Sequence, residues 1–250
     1  YAFGTYGEGE GVSDFNWRNP ATTSAFLPSD AFPEFDLNDV FPAGFAPQFG
    51  QDDEDRALVV GLRNPDAALS WDISLNYGMN EIDYFIFDTI NASLGPASPT
   101  SFRPGVLSQT QVGINMDFGY AFDIGLAEPI NLAFGFEARE EEFEIEAGDP
   151  ASWAIGPGAV DGLPSASNGF PGFSEAQAGT FDQQSYAAYA DFDAQVSDAW
   201  NFGFAVRYEN FSEFGDTFDG KISTRYEITP NLAMRATIST SFSVNALRKG

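Results

Sequence analysis

The 250-residue chain sets 37 acidic residues against 11 basic ones, a formal net charge of −26, and has no histidine and no cysteine. That balance excludes nucleic acid as a partner, because binding it requires concentrated lysine and arginine. The missing thiols and imidazoles exclude disulfides, thiolate zinc sites, thiol catalysis, Ser-His-Asp chemistry and imidazole-bound metals. No run of about 18 apolar residues exists, so no transmembrane helix is expected. This does not bear on β-barrels, whose strands give only a weak alternating signal. At this length one large β domain or two ordinary ones could form, and the reading below takes residues 1–250 as one.

In chain order, residues 1–8 read as a strand entering a long loop opened by Gly7-Glu8-Gly9-Glu10-Gly11. The loop body is rich in Phe and Pro (Phe26, Phe32, Phe35, Phe41, Phe45, Phe49) and ends at Asp52-Asp53-Glu54-Asp55. The chain enters its first strand directly at Tyr1-Ala2-Phe3-Gly4 with no leader pattern, so it is expected to be mature or a piece of something longer. Residues 56–63 form the second strand. In the third, Trp71, Ile73, Leu75 and Tyr77 alternate with Asp72, Ser74, Asn76 and Gly78, the period of a strand with one apolar face. It is expected to continue through Ile82–Phe87 above a membrane.

The fourth strand sets Val112, Ile114, Met116, Phe118 and Tyr120 opposite Gln111, Gly113, Asn115, Asp117 and Gly119. The fifth sets Ile130, Leu132, Phe134 and Phe136 against Asn131, Ala133, Gly135 and Glu137, and continues through Glu140–Glu146. The sixth spans about 186–196 and the seventh 200–211. The eighth carries Ile222, Thr224 and Tyr226, and the ninth Leu232, Met234, Ala236 and Ile238. The fold class is therefore all-β: an antiparallel meander of about nine strands, with no useful helix.

The joints between strands are uneven. Asn64-Pro65-Asp66, Ser197-Asp198 and Thr229-Pro230-Asn231 are short, with a looser joint near Gly125–Glu128; the segments 9–52, 80–107 and 147–183 are long. Bacterial transmembrane barrels have this asymmetry, with short periplasmic turns and long extracellular loops. Arg139, Arg207, Lys221, Arg225 and Arg235 fall on one parity of adjacent strands together with Glu137, Glu209, Glu227 and Asp191. This reads as a charge-paired inner wall, since opposite charges across a ladder attract. Trp71, Tyr120, Phe122 and Trp200 lie by the short turns, and Tyr77, Tyr208 and Phe211 toward the loops, as aromatic girdles require.

Several stretches resemble the barrel of TonB-dependent outer-membrane receptors: Trp71–Gly78, Asn91–Phe102, Ala133–Glu140, Ala147–Ser152, Tyr186–Tyr189, Arg207–Gly215, and Lys221 followed by Arg225–Pro230. The resemblance runs in order along nearly the whole chain. It implies a barrel in outer-membrane lipid of a bacterial cell, a plug domain, the TonB system as partner, and a scarce small extracellular ligand such as a ferric chelate, cobalamin or oligosaccharide. It implies binding and energised passage; from the missing motifs no enzymatic step, no cofactor and no metal are expected. Ser241-Phe242-Ser243-Val244-Asn245-Ala246-Leu247 departs from the family's pattern, lacking its arginine and proline. Family barrels have about 22 strands, so nine are expected to form an open, curved partial barrel, an internal segment without plug or remaining strands.

The loop aromatics Phe85, Phe87, Phe102, Trp153, Phe170 and Phe173 are the expected ligand contacts, because aromatic faces stack on sugars and ring-bearing chelates. The lumen-facing charges are Arg139, Arg207, Lys221, Arg225, Arg235, Glu137, Glu209 and Glu227. Asp52–Asp55 and Glu140–Glu142 read as a solvated loop end and a charged strand extension. No phosphate-loop pattern is present. Two other classes fit the same alternation: a soluble secreted β-sandwich that binds glycans through aromatic loops, and an acidic surface adhesin.

Overall fold

A computed structural model describes residues 1–242; Ser243–Leu247 of the divergent segment lie outside these. The described residues form one antiparallel sheet in sequential order: β1 (Ala2–Asp14), β2 (Gln48–Asn64), β3 (Leu69–Phe87), β4 (Ser101–Phe122), β5 (Ile130–Ala147), β6 (Gly179–Ser197), β7 (Trp200–Phe211), β8 (Gly215–Thr229) and β9 (Leu232–Ser239). The sheet is open, with β1 and β9 at its edges. Two one-turn helices, α1 (Leu37–Val40) and α2 (Pro150–Trp153), sit in the loops.

Register places most apolar side chains of the membrane-level strands on one face, while Phe3 of β1 and Val59 of β2 fall on the other. One row runs Leu62, Ile73, Met116, Phe136, Ala188, Tyr208, Phe218 across seven strands in direct opposition. Among the described residues no second layer covers it: Leu62 is 71%, Leu75 58% and Ile238 73% exposed. A sandwich would bury such residues between two inner faces, so the soluble-sandwich alternative is overturned. An apolar face this broad calls for lipid. Tyr120 stacks on Phe122 and Phe118 on Phe134 at its turn end.

The first hairpin departs from the sequence reading. Gly7–Gly11 and Gln51–Asp55 are not loop; they pair residue for residue inside β1 and β2, and Asp52–Asp55 pair again with Asn80–Asp83 of β3. Glycine and acidic residues have poor strand propensity, but a continuous ladder with β3 carries them. The loops therefore shrink to 15–47, 88–100 and 148–178. Strands of 17 to 22 residues in β2 through β6 exceed the roughly 9–11 that cross a bilayer, so they project well beyond it. The joint between β7 and β8, residues 212–214, is short although it lies at the long-loop end.

The three long loops share a core away from the sheet. Ala25, Leu37, Phe45, Ile90, Ala92 and Leu163 are buried together, with Phe26, Phe35 and Phe41 packed against them. Ser29 Oγ donates to Asp161 at 2.6 Å, tying loop 15–47 to loop 148–178, and the Ala31 amide adds a second bond. These donors hold the Asp161 carboxyl below the ordinary carboxylate value. A depressed folded-state pKa means the tie is intact above the pKa of a free aspartate and is lost as pH falls through the lower, folded value. Limited proteolysis of loop 15–47 is expected to be slow at neutral pH and to accelerate in acid, and Asp161→Asn is expected to flatten that acid response.

Candidate functional site

The face opposite the apolar one is charged. Glu137 on β5 receives Arg207 of β7 at 3.1 Å and also meets its own strand neighbour Arg139, while Arg207 Nε donates to Glu209 at 3.1 Å. Four of the eight predicted wall charges thus form one network spanning three strands. Its side chains are 17–36% exposed, so solvent screens it and its worth lies in geometry more than in stability. Beside it Tyr189 of β6 reaches over Gly135 to donate to Asp117 of β4 at 2.5 Å. A Cβ at Gly135 would lie 2.5 Å from the Tyr189 ring, so this glycine makes room for the crossing. Arg225 pairs with Glu227 at 2.7 Å on β8. Lys221 and Arg235 have no ion pair among the described residues.

The predicted ligand aromatics separate into three groups. Phe170 and Phe173 fold back onto the charged side of the strand extensions, where Phe170 lies 4.4 Å from Phe49 and 5.4 Å from Tyr84 between ring centroids. Phe15 joins Phe49. Burial, and then the Asp53 carboxylate, raise the Tyr84 phenol above its ordinary value, so it stays a neutral hydrogen-bond donor. Phe85 and Phe87 stack together on the opposite, outer side. There Arg103 sits over Phe85 and bridges Asp83 at 2.9 Å and Asp52 at 3.6 Å, beside a cavity of about 460 Å³. Phe102 is turned inward at 3% exposure. Trp153 on α2 is half-buried and donates to the Gly148 carbonyl.

Sequence reasoning missed Phe49 and Tyr84 as partners of Phe170, and Phe15 as a partner of Phe49. The available signal was parity: counting in twos from Asp72 puts Tyr84 on the polar side. The loops are anchored beneath by Asn91, whose amide donates to the Ala151 and Ala154 carbonyls at 2.8 and 2.9 Å and whose oxygen accepts from Ser93. Among the described residues no buried side-chain polar atom lacks a partner, and no cluster of three metal-ligating side chains occurs.

An open meander with a lipid-suited face, a charged opposite face and long loops at one end is wall material of an outer-membrane β-barrel. Residues 2–248 match the family model described as TonB dependent receptor-like, beta-barrel, and the chain belongs to that family. Such barrels reside in the bacterial outer membrane, and so does this one. Among solved structures, the siderophore receptor PirA from Acinetobacter baumannii aligns at a TM-score of 0.48 and 12% identity, over 77% of this chain and 25% of that one. The chain thus matches about a quarter of that receptor's length. No curated protein matches it.

Proposed function

We propose that the chain is one arc of the wall of an energised uptake receptor. On this reading the plug domain and the remaining strands come from polypeptide outside these residues, and the charged face lines the lumen. A scarce small solute, such as a ferric chelate, cobalamin or an oligosaccharide, is caught at the loops and passes along the wall when the TonB system moves the plug. No bond of the solute is made or broken. Outer-membrane lipid covers the apolar face. The observation that carries this reading is the pairing of an exposed apolar face with a charged one beneath a cap of interlocked loops.

Phe170 and Phe173, with Phe49 and Tyr84, form the aromatic surface best placed to meet a solute, because they sit on the lumen side at the loop end. Counting along β3 from Tyr84 to Asn76, which is in register with Gly113 and Arg139, puts them about 26 Å above the ion-pair network. Phe85 and Phe87 face away from that path. The test is uptake of a panel of labelled nutrients by cells carrying the receptor, with and without a functional TonB system. Phe170→Ala is expected to weaken binding of the transported solute about tenfold, whereas Phe87→Ala leaves it unchanged. Uptake that persists without TonB would overturn the proposal.

A further inference from the structure

Two of the aromatics expected at the ligand, Phe85 and Phe87, lie on the side of the sheet continuous with the lipid-facing one. Their rings stack at 6.3 Å between centroids and 18° between planes, and both are half-buried. Gly50 stands directly opposite Phe85. A Cβ there would come within 2.3 Å of the ring, so the missing side chain lets the ring lie against the β2 backbone. The pair borders the cavity of about 460 Å³, which Ser101, Glu10, Asp52 and Asp149 line with hydroxyl and carboxylate oxygens. The Arg103 guanidinium, 5.5 Å above the Phe85 ring, adds donors. An aromatic platform ringed by acceptors and donors suits a sugar, whose C–H face stacks on a ring and whose hydroxyls both donate and accept.

Height decides which sugar reaches the cavity. Tyr77 marks the upper edge of the apolar face, and Phe85 lies farther along β3, by about 26 Å at the strand rise. A barrel strand's tilt leaves about 20 Å of that as height. Ordinary head groups extend only about 5–8 Å past the hydrocarbon core, so a lipid reaches Phe85 only through an extended saccharide head.

Charge on the way up selects further. Glu8, Glu54 and Glu81 stand in one directly opposed row on this side, and Glu10, Asp52 and Asp83 in the next. Glu144 and Glu146 continue the two rows on β5. Arg56 meets Glu54, and Arg103 serves Asp83 and Asp52. Among the described residues the strand extensions present no other base on this side. A phosphate held against these rows would be repelled.

We infer that the outer cavity at Phe85, Phe87 and Arg103 binds the uncharged oligosaccharide head of a glycolipid in the surrounding outer leaflet. Arg103 covers Phe85, so the sugar ring stacks on Phe87. The receptor thereby gathers neutral glycolipid along β1–β5 and turns phosphorylated lipid away. Nothing in this depends on the solute or on TonB.

The test places the purified receptor in phosphatidylcholine nanodiscs and counts retained lipid by mass spectrometry. A lipid with a maltotetraose head is the probe; phosphorylated lipid A and free maltotetraose are separate arms. The maltotetraose lipid is expected to be retained at least tenfold over lipid A, a comparison that needs no variant. Phe87→Ala is expected to lower that retention about tenfold, Phe87→Trp to keep it, and Phe170→Ala on the lumen side to change nothing. TonB-dependent uptake by Phe87→Ala is expected to stay at its normal level, so failure of this site and failure of the transport reading are read separately. No retention of the maltotetraose lipid, or equal retention by Phe87→Ala, overturns the inference. So does preferential retention of lipid A that EDTA releases, which would mean that divalent cations bridge its phosphates to the carboxylate rows. Free maltotetraose binding as tightly as the lipid overturns the glycolipid assignment and makes the cavity a site for a soluble saccharide.

Discussion

Leu75→Arg is expected to remove most of the folded receptor from the outer membrane, while Gly78→Arg leaves it in place. Leu75 lies in the middle of the apolar face between Val60 and Ile114 and is 58% exposed. An arginine facing lipid at the bilayer midplane costs about 2–4 kcal/mol in a β-barrel. That is a large share of the 5–15 kcal/mol typical of folded proteins. Gly78 is three residues along the same strand and on the other face, where an added Cβ would meet nothing within 4 Å. Its arginine would project into an aqueous, acid-rich interior. The measurement is the fraction of heat-modifiable, folded barrel in isolated outer membranes. Equal loss for both variants would show that the two faces are not chemically distinct, and with that the membrane assignment would fail.

Asn91→Ala is expected to unfasten the loop cap while sparing the barrel. Asn91 is fully buried, and its amide satisfies two carbonyls of the α2 region as well as the Ser93 hydroxyl. Ser93 in turn accepts from the Gly156 amide at 2.9 Å. Truncation leaves three buried groups without this partner, each worth about 1–3 kcal/mol. They belong to one network and do not add simply, so a loss of about 3–5 kcal/mol in local loop stability is expected. Asn38→Ala removes only an exposed contact with Asp36 and is expected to cost no more than about 0.5 kcal/mol. Hydrogen exchange read over 88–100 and 148–178 checks both. An unchanged pattern in Asn91→Ala would mean that the loops are held by their apolar core alone.

The strands within the membrane were legible in the sequence because period two is a local signal. The bounds of β7 came out as residues 200–211, since its alternation is uninterrupted from Trp200 to Phe211. The extensions were legible only where apolar residues persisted, as in β3 and β5. In β1 and β2 glycines and carboxylates hide the pattern, and pairing with β3 supplies what propensity lacks. The parity of the wall charges could be read from single strands, but the reach of Arg207 to Glu137, two strands away, needed the register.

Phe102 was illegible for a different reason. Between Tyr84 and Ile86 the β3–β4 register shifts, so β4 gains a residue next to Gly105, which adopts a positive φ. A bulge of this kind exchanges the two faces. It turns Phe102 inward and Arg103 out toward Asp83, and nothing in the spacing of the sequence announces it.

The cap built jointly from 15–47, 88–100 and 148–178 also limits how the extracellular surface can diversify. A loop exchanged singly between relatives would arrive without the residues that complement Ile90 and Leu163, and its own apolar side chains would be left in water. Variation is therefore expected to be inherited in blocks, with all three segments travelling together, and grafting a foreign specificity onto this scaffold requires transplanting the set.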